Sequence, residues 1–181
     1  MVRLRVNELV GRGGGMDHSD ELIARLVERV AHLLTAREAR LAAAESCTGG
    51  WIAKSLTDLP GSSAWFEYGV VTYSNEAKET LLALDPGLLE AHGAVSEEVA
   101  IHMAAAVRAI SDADISVAVT GIAGPDGGTP DKPVGTVWLA WEGPGMRAAS
   151  RCDVFTGDRD SIRRQTVVAA LNGILRQLAD G

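Results

Sequence analysis

Two short apolar runs, each emptying into glycine, constrain this chain most. Leu41-Ala42-Ala43-Ala44 leads into Glu45-Ser46-Cys47-Thr48-Gly49-Gly50. Ile115 to Thr120 (ISVAVT) leads into Gly121-Ile122-Ala123-Gly124-Pro125-Asp126-Gly127-Gly128. Neither run shows the sustained apolar/polar alternation of a strand with one wet face. Strands that read this way are covered on both faces, which calls for helices above and below a sheet.

Helical sequence is available for both layers. Leu22, Ile23, Leu26, Val27, Val30, Leu33 and Leu34 recur at the i, i+3, i+4 spacing of one helix face, starting at Asp20. A second helix is expected from Trp51 to about Asp58, broken by Pro60-Gly61. Ser74 can cap a third through Lys78 to Leu84, and Pro86-Gly87 opens a short turn or helix. Ser96, followed by Glu97 and Glu98, starts a helix to about Ile110, with acids at the positive end of its dipole. A last helix spans Asp158 to Leu178. Phe66 to Tyr73 is β-branched and aromatic and reads as a strand. Val134 to Trp141 and Arg147 to Phe155 read as two more, joined by Gly143-Pro144-Gly145 as an antiparallel hairpin. The expected fold is α/β: a three-layer α/β/α sandwich around a mixed, mostly parallel sheet of about five strands. Residues 1–16 read as a tail, because Gly11-Arg12-Gly13-Gly14-Gly15 is costly to order, and Met16 is a candidate natural start. Residues 17–181 form one domain.

Composition narrows the function classes. A net charge of −7 disfavours binding to phosphate backbones, which is driven by clustered Lys and Arg. No window approaches the roughly 18 to 20 apolar residues that a membrane span needs. The expectation is a cytoplasmic protein with neither nucleic acid nor membrane as partner. Cys47 and Cys152 are too few for a disulfide scaffold. His18, His32, His92 and His102 show no ligand spacing, so no metal site is expected.

Four places could carry chemistry. At Glu45 to Gly50 a strand feeds a tight turn and a helix leaves it, so unpaired N–H groups face outward. Such a turn can cradle a phosphate, or hold an oxyanion beside a serine nucleophile. Equally, Ser46 or Thr48 can simply cap the helix. Cys47 is an alternative nucleophile. The second place is Lys78. Only three lysines exist, Lys54, Lys78 and Lys132, and helical projection puts Lys78 alone on an apolar side, with Lys54 facing solvent. Burial there would lower its pKa, as a neutral amine base requires. The alternative is a lysine that snorkels past the apolar edge to water. The third is the Gly121 to Gly128 loop, leaving the C-terminal end of a strand, where open α/β sheets bind ligands. The fourth is Arg159 and Arg163, an i, i+4 pair able to grip a phosphate, although solvation at the surface is the commoner fate.

Five blocks in order, AESCTGGWIAKSLTDLPGSSAWF, GVVTYSNEAK, HGAVSEEVA, VTGIAGPDGGTPDKPVGTVW and FTGDRDSIRRQT, resemble the CinA C-terminal domain family over about residues 20 to 178. The chain is too short to add the molybdopterin-binding-like N-terminal domain of full-length members. Stand-alone members are nicotinamide-nucleotide amidases. The resemblance therefore implies hydrolysis of nicotinamide mononucleotide, a small-molecule substrate, to nicotinate mononucleotide and ammonia. No cofactor and no metal are implied, and a homo-oligomer is. It assigns Ser46 as nucleophile and Lys78 as base, with Tyr73 in the proton relay. On that reading Thr48, Gly49 and Gly50 hold the oxyanion, and Gly121, Ile122, Ala123, Gly124 and Arg163 bind the rest of the substrate. Two alternatives remain: a nucleotide-binding module without catalysis, and an accessory protein in competence or DNA recombination.

Overall fold

The computed structural model describes residues 19–143 and 149–180. The expected tail over residues 1–16, His18, and part of the Gly143-Pro144-Gly145 turn lie outside the described residues, as does Arg147. Among the described residues, six α-helices and five strands follow one another as α1 (Asp20–Ala36), β1 (Leu41–Glu45), α2 (Trp51–Thr57), β2 (Phe66–Val71), α3 (Asn75–Leu82), α4 (Pro86–His92), α5 (Glu97–Ser111), β3 (Ile115–Gly121), β4 (Thr136–Glu142), β5 (Ala149–Val154) and α6 (Arg159–Asp180). Pro86-Gly87 thus opens a helix, with Asp85 as its cap.

The sheet order is β2-β1-β3-β4-β5. β1 pairs in parallel with both β2 and β3, whereas β4 is antiparallel to β3 and to β5. Four of the five strands therefore point the same way, while the strand pairs divide evenly between parallel and antiparallel. The hairpin expected from sequence supplies the antiparallel half.

Side-chain alternation sorts the strands into two cores. Leu41 and Ala43 of β1, Ile115, Val117 and Val119 of β3, and Val137, Leu139 and Trp141 of β4 join the core beneath α1, α2 and α6. Ala42, Ala44, Ala118 and Ala140 face the other way, against Val99, Ala100, Met103, Ala104 and Val107 of α5. Alanine on that face lets α5 lie close to the sheet, and buried Ser116 donates from Oγ to the Ala104 carbonyl at 2.7 Å. β1 is buried along its whole length, as its apolar run requires. Edge strand β2 is mostly exposed, so its pattern is less apolar.

The three strands that run together, β1, β2 and β3, end at one edge of the sheet. The chain leaves β1 for β2 on one side and returns to β3 on the other. That reversal opens a crevice at the C-terminal end of β1, the position where open α/β sheets hold ligands. Ser46 occupies it, its N–H bonded to the Val119 carbonyl of the neighbouring strand at 3.0 Å.

Candidate active site

Ser46, Cys47, Tyr73, Lys78, Ala94, Val95, Thr120 to Gly124, Asp126 and Arg159 line a cleft of about 300 Å³ at this edge. Lys78 reaches it from the apolar face of α3. Its side chain is 1% exposed, so it does not snorkel to water. Lys78 Nζ lies 3.1 Å from Ser46 Oγ and donates to the Thr72 carbonyl at 2.8 Å. Burial lowers its pKa below the ordinary 10.5. The other two lysines serve elsewhere. Lys54 pairs with Asp58 at the surface at 2.6 Å, and Lys132 donates to the carbonyls of His92 and Val95.

Cys47 is buried beside the serine. Burial pushes its thiol up to about 12, and the Glu45 carboxylate adds in the same direction. Nucleophilic cysteines need the opposite shift, so the thiol is a poor competitor for Ser46.

The helix start differs from expectation. Glu45, 1% exposed, folds its carboxylate over the N-terminus of α2. Oε2 accepts from Thr48 Oγ1 (2.6 Å), Gly50 N–H (3.1 Å) and Ile52 N–H (3.0 Å), and Oε1 from Ala53 N–H (2.8 Å). Gly49 N–H is spent on the Ser46 carbonyl and Trp51 N–H on that of Thr48. Gly49 and Gly50 therefore have no donor to offer an oxyanion, the first because its N–H closes the turn and the second because it helps to satisfy the buried carboxylate. Within this turn, the N–H groups of Cys47 and Thr48 donate to no backbone carbonyl of the described residues, and the Cys47 N–H lies within reach of its own sulfur.

The arginines also sort differently. Arg163 does not line the cleft. It stands behind the turn, donating to the carbonyls of Cys47 (3.2 Å) and Thr48 (2.7 Å), with its guanidinium 5.2 Å from the Trp51 ring centre. Gly49, Gly50 and Arg163 share the surface on that far side with Lys54 and Arg164. Arg159, one turn earlier on α6, does face the cleft. It donates to the Gly124 carbonyl at 2.6 Å and to the Tyr73 hydroxyl at 2.8 Å. Tyr73 is 59% exposed and its hydroxyl meets this arginine; no bond joins it to Lys78.

The glycine loop is where it was expected, with Gly121, Ile122, Ala123 and Gly124 all on the cleft wall. Gly124 has φ +78°, and a Cβ there would come within 2.6 Å of Val134. No side chain fits that turn without moving the wall. Thr120 and Lys132 brace the opposite wall, the Thr120 hydroxyl donating to the Ala94 carbonyl at 2.8 Å. Among the described residues, no group of three or more His, Cys, Asp or Glu could hold a metal ion, and no helix is long and apolar enough to cross a membrane.

A buried serine and lysine meet at the C-terminal edge of a mixed sheet, so the class is an α/β protein with a candidate hydrolytic site there. The particular family follows from comparison. Residues 23–178 match the model of the CinA C-terminal domain, and the chain belongs to that family. It is 48% identical over 159 residues to the nicotinamide-nucleotide amidohydrolase PncC of Escherichia coli K12, covering 88% of this chain and 96% of that one. Identity to the nicotinamide-nucleotide amidohydrolase PncC of Pseudomonas putida is 53% over 154 residues, covering 85% and 96%. A solved CinA-superfamily protein from Klebsiella pneumoniae 700603 superposes with a TM-score of 0.84 at 39% identity, covering 88% of this chain and 99% of that one.

Proposed function

We infer that this protein is a nicotinamide-nucleotide amidase, converting nicotinamide mononucleotide to nicotinate mononucleotide and ammonia. The observation that carries the reading is the 3.1 Å approach of Lys78 Nζ to Ser46 Oγ in a buried site. The relatives named as nicotinamide-nucleotide amidohydrolases supply the substrate.

Neutral Lys78 takes the Ser46 proton as Oγ attacks the carboxamide carbon. The negative charge that develops on the carbonyl oxygen falls to the N–H groups of Cys47 and Thr48, the turn's remaining donors; each such donor contributes about 3 kcal/mol in comparable sites. As the C–N bond breaks, Lys78 returns its proton to the leaving nitrogen, which departs as ammonia. Water, deprotonated by the same lysine, then attacks the ester; Lys78 returns that proton to Ser46 Oγ as the C–O bond breaks and the acid leaves. The 5′-phosphate pairs with Arg159, the cation on the cleft wall, which Tyr73 orients. The Gly121–Gly124 backbone lies against the rest of the nucleotide.

The amidase unit is residues 17–181. It works in the cytoplasm as a homo-oligomer, with no nucleic-acid partner and no metal. Ammonia release from nicotinamide mononucleotide, measured with EDTA present, tests the reading. Release of ammonia and nicotinate mononucleotide in equal amounts is expected. Binding of the nucleotide without release would make the cleft a binding module and overturn the reading.

A further inference from the structure

The loop that carries Ser46 is held from two opposite sides, and neither support belongs to the Ser46–Lys78 pair. On one side, the buried Glu45 carboxylate collects four donors from Thr48, Gly50, Ile52 and Ala53. On the other, the Arg163 guanidinium takes the two carbonyls of Cys47 and Thr48. Between them, the two charged groups engage the side chain and carbonyl of Thr48, the carbonyl of Cys47 and the Gly50 N–H. They do so from two different elements, the end of β1 and the second turn of α6.

We propose that Glu45 and Arg163 are positioning residues for the amidase reaction, a two-sided clamp that fixes the Ser46 turn in its reactive shape. The proposal rests on the amidase reading above. A carboxylate is suited to one side because its oxygens accept several donors at once and have none of their own to misplace. A guanidinium is suited to the other because its planar fork spans two neighbouring carbonyls, which a lysine ammonium cannot do with the same geometry. Holding the turn matters most to kcat, since a reacting group misplaced by about 1 Å can cost roughly 100-fold in rate. Substrate affinity depends on the cleft walls, which neither residue lines.

The test is steady-state ammonia release from nicotinamide mononucleotide by the full chain and its Glu45→Gln, Arg163→Lys and Thr48→Val variants, each as a function of pH. Glu45→Gln turns an amide N–H₂ toward the donors of α2, so kcat is expected to fall by about 30-fold or more with KM within about threefold. Arg163→Lys is expected to lose about tenfold in kcat, again with KM nearly unchanged. The acid limb of the pH profile stays in place in both, because burial is the main influence on Lys78 and neither substitution uncovers it. Thr48→Val deletes one of the four bonds to Glu45 while nearly preserving volume, and about a threefold to tenfold drop in kcat is expected. It decides the matter if Glu45→Gln does not fold.

A kcat within twofold of wild type in Glu45→Gln, or in Thr48→Val where that variant decides, overturns the clamp. So does a tenfold rise in KM at retained kcat in Arg163→Lys, which would make Arg163 a substrate ligand. A wild-type protein that releases no ammonia overturns the amidase reading and the clamp with it. Active wild type with unaffected variants overturns the clamp alone.

Discussion

Lys78 Nζ meets Ser46 Oγ at 3.1 Å, and its other hydrogen-bond partner is the neutral carbonyl of Thr72. Among the described residues, no carboxylate pairs with it. Lys54, on α2, shows the contrasting arrangement, with Asp58 holding its ammonium at the surface. A lysine buried without a counter-ion gives up its proton more readily, and this is the property that a base for Ser46 requires.

The pH dependence follows with a definite sign. The folded-state pKa of Lys78 lies below 10.5, its value when unfolded. Between the two values the unfolded chain binds the extra proton, so lysine burial costs stability below that window and the cost fades as pH rises through it. Each unit of depression corresponds to about 1.4 kcal/mol. Lys78→Met removes this dependence. The Tm of the variant relative to wild type is expected to be highest near neutral pH and to decline toward pH 10.5, as melts across that range would show. In wild type, kcat/KM should rise with pH through a midpoint below 10.5, and a midpoint at or above it would count against a buried lysine base.

Cys47 is protected by burial and by its raised pKa, and Cys152 is exposed on β5. Alkylation with iodoacetamide, followed by peptide mapping, is expected to label Cys152 first and to leave activity intact. Cys47→Ala should keep kcat within about fivefold of wild type, the modest cost of a small cavity beside the turn. Loss of several hundredfold would move the nucleophile from Ser46 to Cys47.

Arg159 and Tyr73 are hydrogen-bonded to each other on the cleft wall. Arg159→Gln is expected to raise KM for nicotinamide mononucleotide by about tenfold or more, through loss of a charge-assisted phosphate contact. Tyr73→Phe frees the guanidinium from its 2.8 Å partner, and a smaller rise in KM should follow. A collapse of kcat at constant KM in Tyr73→Phe would instead put the hydroxyl in the proton relay.

Packing of α6 on the sheet gives a prediction about stability. Glycine to alanine within a helix normally gains about 1 kcal/mol. At Gly173, however, a Cβ would come within 2.0 Å of the Trp141 indole, whose Nε1 donates to the Ala170 carbonyl at 3.1 Å. Gly173→Ala is expected to destabilise by about 1–3 kcal/mol through overpacking, measurable by urea unfolding. A rise in stability would mean that the indole repacks freely.

Much of this site was legible before any coordinates, for physical reasons that vary by residue. Lys78 was readable because helix periodicity decides which side chain turns inward, and only one of three lysines fell on an apolar side. The crevice was readable because apolar runs that end in glycine place loops at strand C-termini. The Glu45 cap is not legible in the motif, because a glycine-rich helix start reads as open. A signal did exist: an acid at the end of a fully apolar strand is buried, and a buried carboxylate needs donors nearby. Arg159 and Arg163 could not be separated by spacing, because an i, i+4 pair shares a helix face. Only the position of the first turn of α6 over the Gly124 carbonyl assigns one to the cleft and the other to the back of the turn.

The decisive measurement is kcat for Ser46→Ala with nicotinamide mononucleotide, alongside acid-quenched peptide mapping of wild type during turnover. Loss of roughly 1,000-fold or more in a variant whose Tm is maintained, with a substrate-derived acyl group on the Ser46 peptide of wild type, is the expected result. Turnover by Ser46→Ala within about tenfold of wild type would contradict a serine nucleophile at this position.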